Sequence, residues 1–121
     1  MKWPSAPPAN VRTFIRATAR LRGVEARKMF GYPAVFVKGH MIAGLVRDRM
    51  VIRLGDTDRA RFLALPGAAP FVAMKGRVMK QWAVVPPAML KQPARLGRWL
   101  TRALSYGRRL PPKPVKPRRT R

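Results

Sequence analysis

Cysteine is absent from this 121-residue chain, which excludes a disulfide framework, thiolate metal sites and cysteine nucleophiles. Acids are nearly absent too: Glu25, Asp48, Asp56 and Asp58 are the whole set. Paired carboxylates for acid–base chemistry, or an oxygen cage for Mg²⁺, are hard to build from four acids. His40 is the only histidine, so the usual zinc ligand sets cannot be assembled. No apolar run approaches the 18 or so residues that a membrane span requires. What the chain does have is 27 Lys and Arg, for a formal net charge of +23, beside 47% hydrophobic residues. That apolar content supports a core of one ordinary domain and argues against wholesale disorder.

The charge is spread through the sequence. Residues 1–106 hold 20 basic and four acidic residues, a formal +16, and residues 107–121 hold seven basic residues and no acid. Soluble small domains need a net charge of only roughly 2–8. A surplus of this size points to a polyanionic partner, which such a field concentrates and steers.

Three regions follow from composition. Residues 1–9, with Pro4, Pro7 and Pro8, read as an extended arm, and residues 10–106 as the folded domain. In residues 107–121 prolines alternate with basic residues without an apolar cluster, which reads as a disordered tail. Within the domain, Asn10 is a candidate N-cap. Val11, Phe14, Ile15, Thr18 and Leu21 follow one helix face, with Arg12, Arg16 and Arg20 as an i, i+4 ladder beside it. Gly31-Tyr32-Pro33 ends that pattern. Strands are expected over residues 34–38, 41–47 and 50–54, with turns at Gly39-His40 and Asp48-Arg49 so short that only antiparallel hairpins fit. Asp56 is the expected cap of a second helix, with Asp58 in its first turn and Pro66-Gly67 as its stop. Strands over residues 71–74 and 79–85 precede Pro86-Pro87. Pro93 then suits the first position of a last helix, with Leu96, Trp99, Leu100, Ala103 and Leu104 as its apolar stripe. The predicted order is α-β-β-β-α-β-β-α: an α+β domain with an antiparallel sheet and flanking helices.

Enzymatic readings find little support. His40 lies in a predicted turn without a neighbouring acid, Ser5 and Ser105 sit outside any nucleophile elbow, and no phosphate-cradling glycine loop occurs. The expectation is a non-enzymatic, cytoplasmic protein without cofactor or metal. Nucleic acid fits the charge better. Lys75, Arg77 and Lys80 bunch around a basic glycine turn, Arg95, Arg98 and Arg102 fall on one arc of the last helix, and the tail adds Arg108, Arg109, Lys113, Lys116, Arg118, Arg119 and Arg121. Trp3, Tyr32, Trp82 and Tyr106 are the candidates for stacking on bases, although core packing is the simpler role for Trp82 and Trp99. Binding through these groups is expected to be backbone-dominated and sequence-tolerant. The alternative partners are an acidic regulatory protein or a second copy of the chain; a membrane is not among them.

A family likeness rests on an ordered series of short motifs. Lys28-Met29-Phe30-Gly31, Ala34-Val35-Phe36-Val37-Lys38-Gly39, Met41-Ile42-Ala43-Gly44, Asp48-Arg49-Met50 and Val51-Ile52-Arg53-Leu54 resemble the TfoX/Sxy N-terminal-domain family. Pro70-Phe71, Gly76-Arg77-Val78-Met79-Lys80 and the Trp99-Leu100 helix extend the resemblance, which spans Val11 to Tyr106. It implies a compact α+β domain with an antiparallel sheet and a link to transcriptional control, since the name-giving members regulate natural competence together with the cyclic-AMP receptor protein. Those regulators carry a second, helical C-terminal domain, for which residues 107–121 are too short. The resemblance brings no catalytic residues. The MmcQ/YjbR family, which bears a DNA-binding label, has a similar order of elements.

Overall fold

Runs of Val, Ile, Phe and Leu broken by two-residue turns build the sheet, and those turns fix its register. The computed structural model describes residues 6–72 and 76–111. In chain order these form α1 (Pro8–Thr18), β1 (Glu25–Met29), β2 (Tyr32–Val37), β3 (His40–Val46), β4 (Arg49–Arg53), α2 (Asp56–Leu63), β5 (Ala69–Val72) and β6 (Val78–Val84). A 3-10 turn (Pro87–Lys91) then leads into α3 (Pro93–Arg109). The sheet is antiparallel in the order β1-β2-β3-β4-β6-β5, as the α+β reading anticipated, with one strand more than expected.

The added strand is β1. Every one of its side chains is exposed, so it carries no apolar alternation from which a strand could be read. It is held by main-chain pairing to β2 through a tight hairpin at Phe30-Gly31. These two residues have φ of 54° and 85°, the left-handed pair that a two-residue turn of the I′ type demands. Gly31 therefore closes a hairpin and does not end the helical pattern, since α1 already stops at Thr18. The β2–β3 turn repeats the device at Lys38-Gly39, with φ of 51° and 84°, so it falls one residue earlier than expected. At the next corner it is Arg47, at φ 58°, that enters the left-handed region.

One sheet face receives all three helices. Val35, Ala43, Ile52 and Ala83 are register partners across β2, β3, β4 and β6, and they join Phe14 of α1, Phe62 of α2 and Leu96, Leu100 and Leu104 of α3 in the core. Phe62 meets Trp99 edge-to-face, with ring centroids 4.9 Å apart. The adjacent register row, Ala34, Gly44, Val51 and Val84, lies on the opposite face and contributes nothing to that core. There the Met41 methyl fills the space a side chain on Gly44 would need. Trp82, expected in the core, is half-buried and outside it, because strand alternation places it on this second face beside Val84. Near the end of α3, Gly107 brings the helix down onto the sheet: a Cβ there would lie 2.6 Å from both Ile42 Cγ2 and Val37 Cγ1.

The helix ends differ from the expected caps in two places. Pro7 precedes α1, so Asn10 lies inside the first turn, and its side-chain amide donates to the Asp48 carbonyl at 2.9 Å. Gly55 precedes α2, which leaves Asp56 and Asp58 both in the first turn, where carboxylates favour the positive end of the helix dipole. Gln92 and Pro93 start α3 as expected. Helices also cross both expected boundaries. Proline is at home in a first helical turn, so α1 begins at Pro8, within the predicted arm. Arg108 and Arg109 suit the negative end of a helix dipole, and α3 runs through them into the predicted tail. The remainder of that tail, residues 112–121, lies outside the described residues, as do residues 1–5.

Candidate nucleic-acid interface

The arginine ladder of α1 and the arginine arc of α3 come together because the two helices pack side by side over the sheet. Arg16 of α1 and Arg20 in the turn just after it, with Arg98 and Arg102 from α3, border an open groove of about 640 Å³. Ala17, Leu21, Leu90 and Leu96 are among the apolar residues that line it, and the small residues Ala94 and Gly97 leave it open along α3. Thr101 returns its hydroxyl to the Gly97 carbonyl at 2.9 Å. Sequence periodicity predicted each set of arginines on its own helix, but α1 ends at Thr18, which leaves Arg20 in the turn beyond it. Their meeting is a tertiary fact with no local signal, so Arg16 and Arg20 were not among the predicted site residues.

The predicted residues fare differently from one another. Arg98 borders the groove with no hydrogen bond or ion pair among the described residues. Arg102 donates to Asp58 Oδ1 at 3.0 Å and lies 5.7 Å from the Trp99 ring, so part of its charge is already met. Arg95 turns away, bordering a second hollow of about 150 Å³ with Leu65, Pro66 and Pro86. Arg77 and Lys80 are exposed on the β5–β6 side of the sheet and do not line the groove. Lys75, Lys113, Lys116, Arg118, Arg119 and Arg121 lie outside the described residues.

Two of the tail residues have structural work instead. Arg108 donates to the Arg22 carbonyl at 2.7 Å, while its own carbonyl accepts from Lys38 Nζ at 3.1 Å. Arg109 reaches Ser105 Oγ at 3.1 Å and lies over Tyr106. His40 adds a contact from the same β2–β3 turn, its Nε2 standing 2.6 Å from the Pro111 carbonyl. The lone histidine thus fastens the end of α3 and is not placed beside an acid.

Stacking candidates are similarly committed. Tyr32 is buried at 6% exposure, Trp82 and Tyr106 are half-buried, and Trp3 lies outside the described residues. On the sheet face away from the helices, Arg27 lies 5.0 Å from the Phe36 ring and Arg49 lies 6.0 Å from Phe71. Arg53 is drawn to Gln81 Oε1 at 2.8 Å.

The electrostatic balance is lopsided. Among the described residues, carboxylates meet only Arg27, through Glu25 at 2.8 Å, and Arg102, through Asp58. The Arg27 hydrogen bond holds the Glu25 carboxyl below its ordinary range and correspondingly raises Arg27. No group of three His, Asp or Glu gathers to hold a metal among these residues, and no helix among them is long and apolar enough to cross a membrane.

A six-stranded antiparallel sheet with three helices on one face and, among the described residues, a largely unneutralised cationic surface defines an α+β module. Comparison with known families matches residues 16–106 to the TfoX N-terminal domain, which covers most of the chain. The chain belongs to that family. No curated protein matches it significantly.

Proposed function

We propose that this TfoX-type domain is a non-catalytic accessory of transcriptional regulation that associates with nucleic acid through the phosphate backbone. One observation carries the reading: 20 basic residues against four acids over residues 1–106, a formal +16, with carboxylates meeting only Arg27 and Arg102 among the described residues. Exposed Arg77, Lys80 and Arg95 present this charge from different sides of the fold, so the association follows the field and not a base-reading element. The basic residues of 107–121 add to it.

Salt is the test. If about four phosphates are neutralised, affinity for a duplex of about 30 base pairs falls about a hundredfold between about 50 and 200 mM NaCl. Two duplexes of unrelated sequence bind within about threefold of each other. Affinity that stays flat across that range overturns the proposal.

A further inference from the structure

We infer that the α1–α3 groove is a docking site for an acidic amphipathic helix of a protein partner, separate from the backbone-binding surface. Its shape and chemistry are those of a helix receptor. Two helices form the walls, and a third helix seats its ridge of side chains in such a furrow. The half-buried Ala17, Leu21 and Leu90 within it suit apolar residues spaced i, i+3, i+4 and i+7 on the incoming helix. One rim carries the i, i+4 pair Arg98 and Arg102 of α3, and the other carries Arg16 of α1 and Arg20 in the turn that follows it. Carboxylates flanking the apolar stripe of the partner meet these guanidiniums, Arg16, Arg20 and Arg98 above all, through charge-assisted hydrogen bonds.

The other occupants fit less well. Among the described residues no aromatic lines the groove, so single-stranded nucleic acid finds no stacking platform in them. A duplex backbone satisfies arginines but has nothing to offer the leucines. A second copy of this chain brings another +23 against the same four arginines. The chain's own tail is excluded on the same ground, since residues 107–121 contain no acid.

Gly97 supplies a clean probe. It lies in the groove, and a Cβ built on it meets nothing within 4 Å, so a side chain there projects into the groove and not into the fold. The experiment measures fluorescence anisotropy of a labelled acidic peptide of about 18 residues with leucines along one helical face. An isomer of identical composition, its leucines dispersed around the helix, is the control for bulk charge. The full chain is expected to bind the first peptide at least about tenfold more tightly than the isomer, a difference of about 1.4 kcal/mol. Gly97→Phe, which changes no charge, is expected to weaken that binding about tenfold or more, while Gly97→Ala stays within about twofold and both leave duplex DNA affinity unchanged. Arg98→Glu, on a folded background checked by circular dichroism, is expected to reduce the preference for the amphipathic isomer. Equal binding of the two isomers overturns the inference, as does indifference to Gly97→Phe. A parallel loss of DNA binding in Gly97→Phe also overturns it, and makes the groove a nucleic-acid site.

Discussion

Two glycines ten positions apart in α3 are expected to respond to the same substitution with opposite signs. At Gly97 the space beyond Cα is open, so alanine adds only helix propensity and stabilises the fold by about 1 kcal/mol. At Gly107 the new methyl would stand 2.6 Å from Ile42 Cγ2 and from Val37 Cγ1. Both neighbours are buried and β-branched, with little rotameric freedom to retreat. Relief must come from lifting the end of α3, and overpacking of this kind costs about 1–3 kcal/mol. The propensity gain is smaller at Gly107, which lies in the last turn of the helix, so a net loss of about 1–2 kcal/mol remains. The two variants should therefore differ by about 2–3 kcal/mol, measured by urea denaturation followed by far-UV circular dichroism. In thermal melts, Gly97→Ala raises Tm by about 4–8 °C and Gly107→Ala lowers it by at least about 4 °C. Equal stability of the two variants would refute the seating of α3 on β2 and β3 at Gly107, and with it the helix rotation that places Arg98 and Arg102 at the groove.

Two further outcomes bear on the fold. Phe62 is fully buried and packs edge-to-face on Trp99, so Phe62→Ala should cost about 3–5 kcal/mol in urea denaturation, while Phe62→Leu costs less than half of that; a loss under about 1 kcal/mol for the alanine variant would contradict the packing. Glu25 is held below the ordinary carboxylate range by the Arg27 hydrogen bond, so its contribution is present above that range and disappears as pH falls through the lowered pKa. NMR titration of the Glu25 carboxyl should give a midpoint beneath that of an unperturbed glutamate, and the stability difference between wild type and Glu25→Gln should vanish on acidification. A midpoint at or above the unperturbed value rules the contact out in solution.

Most of the sheet was legible where burial imposes a pattern. β2, β3, β4 and β6 are half or fully core-facing, and their Val, Ile, Leu and Met residues announce them. β1 was not legible because Glu-Ala-Arg-Lys-Met is exposed throughout and owes its conformation to its partner strand. The site shows the same division. Helical periodicity placed Arg12, Arg16 and Arg20 on one helix and Arg95, Arg98 and Arg102 on another, but only packing decides that Arg16, Arg20, Arg98 and Arg102 share a groove while Arg95 does not. Charge composition located a strong cationic surplus from the outset. It could not reveal that Arg108 would be spent on the Arg22 carbonyl and the last turn of α3.

The two ends of the sheet have a consequence for how this protein behaves in company with itself. An open sheet presents unpaired main-chain donors and acceptors along its outer strands, an invitation to strand addition and aggregation. β1 meets that hazard with Arg27 and Lys28 on a fully exposed strand, and β5 meets it with Pro70, which deprives the strand of one donor. The basic surplus of the chain thus also repels like strands from one edge and helps to keep the sheet at six strands.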